Sequence, residues 1–306
     1  MLAAALAAAC GGVLPRVDPD RVAARIDDAS LNEASGLAGS SVDATLLWAL
    51  DDSGNPPVLH ALGTDGRFRG HVRLDGVENF DWEALDSFEW DGRPWLLVAD
   101  VGDNAVARPE VTLHVVPEPP PGSLSPARRS VARPAWSVKV RLERGPADCE
   151  AVAVDPVEER IYLVTKRTTP PLLYAAPLRP AAGAPAVARV EAELGSLPQP
   201  EIGALELPLP TRRFRANVTG LALSRDRRFA AILTYGEVHQ FTRGAGESWA
   251  AALARPPEPL GAPGLWQAEA VGFAQDGALY VTGEERKARL LRYPPVPAAE
   301  EAAAAR

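Results

Sequence analysis

Short apolar runs separated by polar turns dominate the pattern along this chain, and they recur in phase. The clearest begins at residues 271–273, turns through Gln275, Asp276 and Gly277, and resumes at 279–281. The same grammar joins 37 to 46–50 through Gly39, Ser40 and Ser41, and joins 85 to 95–98 through Trp90, Asp91 and Gly92. It joins 152–154 to 161–164 through Asp155 and Pro156, and 221–223 to 229–233 through Ser224 and Asp226. β-prone runs broken by Gly, Asp and Ser are hairpin signals. Third and fourth strands are visible at 58–62 and 71–74, and again at 111–116 and 136–140. The Pro-rich stretch between the last two cannot ladder and reads as an exposed insertion, as does a second around 177–185.

Each hairpin is preceded by one short phrase: an oxygen-bearing residue, then Gly or Ala, then Leu or Val. The copies are Glu33-Ala34-Ser35-Gly36-Leu37, Asp81-Trp82-Glu83-Ala84-Leu85, Asp148-Cys149-Glu150-Ala151-Val152, Asn217-Val218-Thr219-Gly220-Leu221 and Gln267-Ala268-Glu269-Ala270-Val271. The carriers Ser35, Glu83, Glu150, Thr219 and Glu269 are 48, 67, 69 and 50 residues apart, the size of propeller blades with loops of varied length. The pattern predicts an all-β, five-bladed β-propeller of four-stranded antiparallel blades over residues 16–297. The last blade has only three strands of its own, so an N-terminal strand at 21–26 is expected to complete it and cover the open edge.

The first strand of a propeller blade lines the channel, so five oxygen carriers are expected to face one axis. Two carboxylates about 4 Å apart repel by roughly 4 kcal/mol at an effective dielectric near 20, and three call for a cation. Calcium accepts six to eight oxygen ligands; zinc would want His or Cys, which no carrier position supplies. The predicted calcium ligands are therefore Ser35, Glu83, Glu150, Thr219 and Glu269. The alternative is that these side chains merely hydrogen-bond neighbouring inner strands.

The ligand order, with the phrases at 33–37 and 267–271, resembles the bacterial SdiA-regulated family over nearly the whole chain, about 32–293. That resemblance implies a five-bladed propeller with a central calcium and no defined reaction. The order is also similar to that of secreted calcium-activated nucleotidases (apyrases). Thr219 stands where Ser is usual and keeps the oxygen.

The second strand of each hairpin returns to the channel mouth, bringing Asp51, Asp52, Asp100, Asp103, Asn104, Lys166, Arg167, Tyr235, Glu284 and Lys287 as candidate ligand-binding residues. Mixed acids and bases around a metal suit a small anionic, phosphorylated ligand, while the bland alternative is ordinary solvated loop charge. The polar turn at 100–104 does not match an EF-hand loop, and no Gly-x-Ser-x-Gly elbow or phosphate loop occurs. His60, His71, His114 and His239 fall on outer strands and read as surface or packing residues. Asn217-Val218-Thr219 forms a glycosylation sequon whose Thr is already committed to the channel.

Composition narrows the class. The 306 residues are 46% hydrophobic and 24% charged, with net charge −8 and pI near 5.2, which argues against nucleic acid as the main partner. Two cysteines, Cys10 and Cys149, give no disulfide framework; Cys149 reads as a buried inert thiol. The apolar start ending in Cys10-Gly11-Gly12 resembles the end of a lipoprotein signal, though no basic residues precede it. Residues 1–15 are thus expected to be an anchor segment lipidated at Cys10, with an ordinary Ala-rich terminus as the alternative, and 298–306 a loose Ala/Glu tail. The expectation is a monomeric, lipid-anchored calcium-binding propeller of the bacterial envelope, periplasmic or surface-facing, that binds a small anionic ligand or an envelope protein. The alternative is a calcium-dependent phosphohydrolase at the channel mouth, nucleotidase- or phytase-like, so whether the chain is an enzyme stays open.

Overall fold

A computed structural model describes residues 18–181, 183–199 and 214–295. They form an all-β molecule with a short α-helix, α1 (Trp249–Ala254), and two 3-10 turns at Pro19–Arg21 and Pro121–Ser123. The strands group as the hairpin grammar requires. Strands β2 (Ala34–Gly39), β3 (Leu46–Asp51), β4 (Val58–Gly63) and β5 (Phe68–Leu74) pair antiparallel in sequence order. The next meander is β6 (Trp82–Trp90), β7 (Arg93–Asp100), β8 (Val111–Pro117) and β10 (Trp136–Leu142). Then come β11 (Cys149–Asp155), β12 (Arg160–Thr165), β13 (Leu172–Pro177) and β14 (Ala186–Glu193). The fourth is β15 (Val218–Leu223), β16 (Phe229–Thr234), β17 (Val238–Thr242) and β18 (Glu258–Gly261), with α1 between the last two.

The last group has β19 (Ala268–Phe273), β20 (Leu279–Gly283) and β21 (Arg289–Tyr293), and its fourth strand is β1 (Val22–Arg25) from the other end of the described chain. Val22 pairs with Leu291 and Arg25 with Arg289, as the open edge demanded. Two pairings were not legible in the pattern. Strand β9 (Ser130–Ala132) arises inside the Pro-rich insertion and joins β5 in parallel. Strand β10 also pairs in parallel with β14, from Val140↔Ala186 to Leu142↔Ala188, fusing two meanders into one eight-stranded sheet. Nor is the insertion wholly exposed: Glu118 is buried, accepting from Trp48 Nε1 at 2.9 Å and from the Ser41 amide.

Burial grades outward from the first strands. Every residue of β2 and of β11 is buried, because these strands pack on both faces, whereas β10 and β14 alternate between buried and exposed. The first strands adjoin one another in a cycle: β2 meets β6, β6 meets β11, β11 meets β15, β15 meets β19, and β19 returns to β2. Glycine permits this approach. A Cβ on Gly36 would stand 2.7 Å from the Leu85 amide nitrogen, and one on Gly272 would stand 2.4 Å from the Leu37 carbonyl.

Candidate metal centre

The five oxygen carriers share one local irregularity. In each first-to-second-strand ladder the register slips at a single residue. The slips fall between Ala34 and Gly36, Trp82 and Ala84, Cys149 and Ala151, Val218 and Gly220, and Ala268 and Ala270. The residues skipped are Ser35, Glu83, Glu150, Thr219 and Glu269. A bulge leaves one residue out of the ladder and re-aims its side chain, which is why bulges gather at functional sites. All five are 1–5% exposed. Ser35, Glu150 and Glu269 line one cavity of about 10 Å³ together with Leu37, Leu85 and Leu221; all five first strands reach it, but Glu83 and Thr219 are not among its lining residues. That volume suits one ion or one water.

The two hydroxyls donate across the ring: Ser35 Oγ to the Trp82 carbonyl at 2.9 Å, and Thr219 Oγ1 to the Ala268 carbonyl at 2.7 Å. Interstrand bonding of this kind was the alternative reading for the whole set. For Ser35 and Thr219 it holds, yet donation uses the proton and leaves the oxygen lone pairs. The glutamates differ. Glu150 contacts the Lys166 ammonium, and Glu269 accepts from the Tyr235 hydroxyl. No donor among the described residues reaches the Glu83 carboxylate.

Electrostatics follow from that crowding. Burial, then Glu150 and Asp52, push the Glu83 carboxyl well above its usual value. Burial lifts Glu150 to about 8, against the pull of Lys166 and with a push from Glu269. Burial would lower Lys166, but Glu150 and Glu269 more than offset it, so the ammonium is kept. Asp52 is raised to about 6 and Glu284 to about 9, each chiefly by burial. Carboxylate oxygens of Asp52, Asp81 and Glu83 lie within 4.8 Å of one another.

Of the residues expected at the mouth, Asp52, Lys166, Tyr235 and Glu284 gather around the ring. The others serve the loops. Asp51 is buried and accepts the Asn32 and Glu33 amides at 2.9 Å. Asp100 pairs with Arg108 at 2.7 Å, and Asp103 accepts the Ala107 and Arg108 amides. Arg167 lies 3.1 Å from Asp148 and contacts Asn104. Lys287 sits on an exposed turn, its carbonyl accepting from Arg25. Cys10 and the tail from 298 lie outside the described residues. Cys149 is buried, and burial drives its thiol far above the ordinary value, as expected of an inert cysteine. His239 has no partner for either ring nitrogen among the described residues, and burial lowers it to about 4, consistent with packing.

Asp81 was missed as a site residue. A signal existed: every phrase carries a polar residue two places before its oxygen carrier, namely Glu33, Asp81, Asp148, Asn217 and Gln267. Asp148 accepts the Asp103 amide at 2.9 Å, and Gln267 donates to Glu284. That position therefore ties the ring to its mouth.

No protein-family model and no curated protein matches this sequence. Solved structures do resemble the fold. The major allergen Mala s 1 of Malassezia sympodialis is similar at 11% identity over 90% of this chain and 96% of its own, with TM-score 0.53. An endo-arabinase from Bacteroides thetaiotaomicron shares 14% over 90% and 98%, with TM-score 0.49. The PQQ-bound aldose sugar dehydrogenase of Streptomyces coelicolor shares 10% over 89% and 96%, with TM-score 0.47. At these identities the likeness concerns the fold alone, an all-β, β-propeller-like arrangement, and no activity follows from it.

Proposed function

We propose that this chain is a five-bladed β-propeller that binds one calcium ion on its axis and acts as a binding module of the bacterial envelope. The observation that carries this reading is the bulge repeated at the same point of five first strands, each presenting an oxygen-bearing side chain. The cyclic contact among those strands supports the blade count. The donor set fits calcium: three carboxylates and two hydroxyl oxygens, all hard, with no nitrogen or sulfur among them. Glu83, a carboxylate 4% exposed with no hydrogen-bond donor among the described residues, supports it further, since burial favours a carboxylate only with a partner. Lys166 contributes one positive charge against Glu83, Glu150, Glu269, Asp52 and Asp81, which leaves the site acidic. Lipid attachment at Cys10, a monomeric state, and a small anionic ligand or envelope protein as partner belong to the same proposal.

In this reading the chain's residues divide the work. The five carriers hold the ion, Ser35 and Thr219 also stitch adjacent strands, and Tyr235 orients Glu269. Calcium supplies charge balance at the axis and, with positions left to water, a point where a ligand oxygen can bind. A phosphohydrolase has less support. Arg167 is engaged by Asp148 and Asn104, Lys287 is on an outer turn, and Lys166 is bound to Glu150, so free cations for phosphate are scarce at an acidic mouth.

The test is elemental analysis after dialysis, with thermal unfolding in calcium and in chelator. One calcium per chain is expected in the wild type and none in a Glu150→Gln, Glu269→Gln double variant. Saturation at a hundredfold over Kd should add about 2.7 kcal/mol of stability. Wild-type protein that holds no calcium, or a double variant that holds as much, removes the proposal. Phosphate release from nucleotides, sugar phosphates or phytate, abolished by Glu150→Gln, would move the reading to the hydrolase.

A further inference from the structure

Blade-edge histidines form a second cluster, away from the axis. His60 on β4 and His71 on β5 are direct cross-strand partners, so their side chains share one face of the sheet. Their rings meet edge-on at 4.8 Å. The segment between β1 and β2 lays Asp28 across them. A single oxygen, Asp28 Oδ2, is 2.7 Å from His60 Nδ1 and 2.9 Å from His71 Nε2. Ser30 Oγ is 3.0 Å from the same His71 nitrogen and 2.7 Å from Asp28 Oδ1. Asp28 and His60 are buried, while Ser30 is exposed and the His71 side chain is 15% exposed, which opens a path from solvent.

The remote nitrogen of His60 decides what this cluster suits. His60 Nε2 is 3.2 Å from Asp51 Oδ2, and Asp51 is itself fixed by the Asn32 and Glu33 amides. A proton kept on Nε2 beside Asp51 would leave Nδ1 as the lone-pair nitrogen, facing the Asp28 carboxylate oxygen. Two lone pairs at that distance require a cation between them, a proton or a metal. His71 Nε2 and the Ser30 oxygen face the same point. A buried carboxylate behind a histidine, holding its far nitrogen, is the arrangement by which proteins orient metal-ligating imidazoles.

We propose that Asp28, His60 and His71 bind a divalent transition-metal ion of the zinc type, with Asp51 positioning His60 and the Ser30 hydroxyl or water at the remaining place. The donor set is two imidazoles and one carboxylate, which suits zinc and excludes calcium as the preferred ion. Ligand atoms around tetrahedral zinc stand roughly 3.3 Å apart given bonds of about 2.0–2.1 Å. Binding therefore asks Asp28 to withdraw by about half an ångström from each histidine, a shift open to a residue on a loop. Phe68, its ring 4.4 Å from that of His71, shields one side.

The proposal is independent of the axial calcium, and its test keeps the two apart. Full-length protein is stripped with chelator, saturated with calcium, and titrated with zinc by calorimetry, then with cobalt while visible absorption is followed. One zinc per chain is expected, with cobalt giving the d–d bands of a four- or five-coordinate site. His71→Ala should weaken zinc at least about a hundredfold, and Asp51→Asn by about 10–100-fold. Glu150→Gln should leave it unchanged. If His71→Ala fails to match the metal-free wild type in thermal unfolding, His71→Gln replaces it. No stoichiometric zinc, zinc retained in the His71 variants, or zinc lost with Glu150→Gln would each overturn the assignment.

Discussion

Strand β11 carries a buried carboxylate near each end, and the two are solved in opposite ways. Asp155, at its last position, is 0% exposed and is matched: Arg227 at 2.7 Å, Arg243 at 3.2 Å, Trp249 Nε1 at 2.8 Å, and the amides of Val157 and Glu158 all face it. Burial alone would raise its pKa, but the Glu158 amide, Arg227 and Trp249 outweigh burial and hold it below the usual carboxylate value. Glu150, second residue of the strand, has Lys166 against it but Glu83 and Glu269 nearby, and burial carries it up to about 8. A buried carboxylate with its partners built in is architecture. One surrounded by others of its kind persists because something else, a proton or an ion, completes it.

Breaking the matched end has the largest expected effect. Asp155→Ala takes the fully buried carboxylate from Arg227 and Arg243, the latter with a side chain only 11% exposed, and leaves them only Glu158, at 3.0 and 2.6 Å. Removing one member of a buried ionic group typically costs about 3–5 kcal/mol. Urea unfolding should show that loss with an unchanged m-value; a loss under 1 kcal/mol would mean that the arginines are adequately solvated and that the match is incidental.

Relieving the mismatched end should act in the other direction. Glu83 and Glu150 have pKa values raised in the folded protein, so the folded state holds more protons than the unfolded one. Their contribution is fully present below the unfolded value near 4.3 and is lost as pH rises towards 8. Metal-free protein should therefore weaken between pH 5 and 8. Asp155 runs oppositely, its contribution being lost as pH falls below the ordinary carboxylate range. In chelator at pH 8, Glu83→Gln should be more stable than wild type, because the amide carries no charge for burial, Glu150 and Asp52 to oppose. At pH 5 the two should coincide. Equal midpoints at both pH values would mean that Glu83 is not under electrostatic load.

Lys166 sharpens the contrast, because among the described residues it is the cation paired with Glu150 at the mismatched end. Its ammonium touches Glu150 and lies 5.1 Å from the centre of the Tyr235 ring. Within the calcium reading, Lys166 competes with the ion for the same oxygens. Lys166→Met should then lower the stability of the metal-free protein while tightening calcium on the order of tenfold, or about 1.4 kcal/mol. Isothermal titration at fixed pH reads this directly, and weaker calcium binding would make Lys166 a support of the site instead.

How far this contrast could be read beforehand depended on locality. The phrase around each carrier is local, so Ser35, Glu83, Glu150, Thr219 and Glu269 stood out by spacing, and so did the incomplete last sheet that β1 fills. The matched end was invisible, since Asp155 draws Arg227, Arg243 and Trp249 from at least 72 positions away. The parallel join of β10 to β14 is equally non-local. At the mouth, composition put charges in the right loops but could not tell Asp52, which enters the cluster, from Asp51, which turns towards His60. Adjacent strand residues point to opposite sides, and only the bulge fixes which side is which.

The smallest effect expected lies on the join itself. Arg144, just past β10, bonds Glu193 at the end of β14 at 3.1 Å, with side chains 53% and 54% exposed. The charges are of the same kinds as in the Asp155 cluster, and the geometry is comparable. Water screens this pair, and holding two long side chains in one arrangement costs entropy that offsets the attraction. Arg144→Ala should therefore change stability by no more than about 0.5 kcal/mol in urea, several times less than Asp155→Ala. The join would then rest on its backbone ladder and on Val140 and Ala188, both fully buried. A loss above 1 kcal/mol would place the ion pair among the supports of the join. Burial would then no longer be what separates the carboxylates that hold this fold from those that merely decorate it.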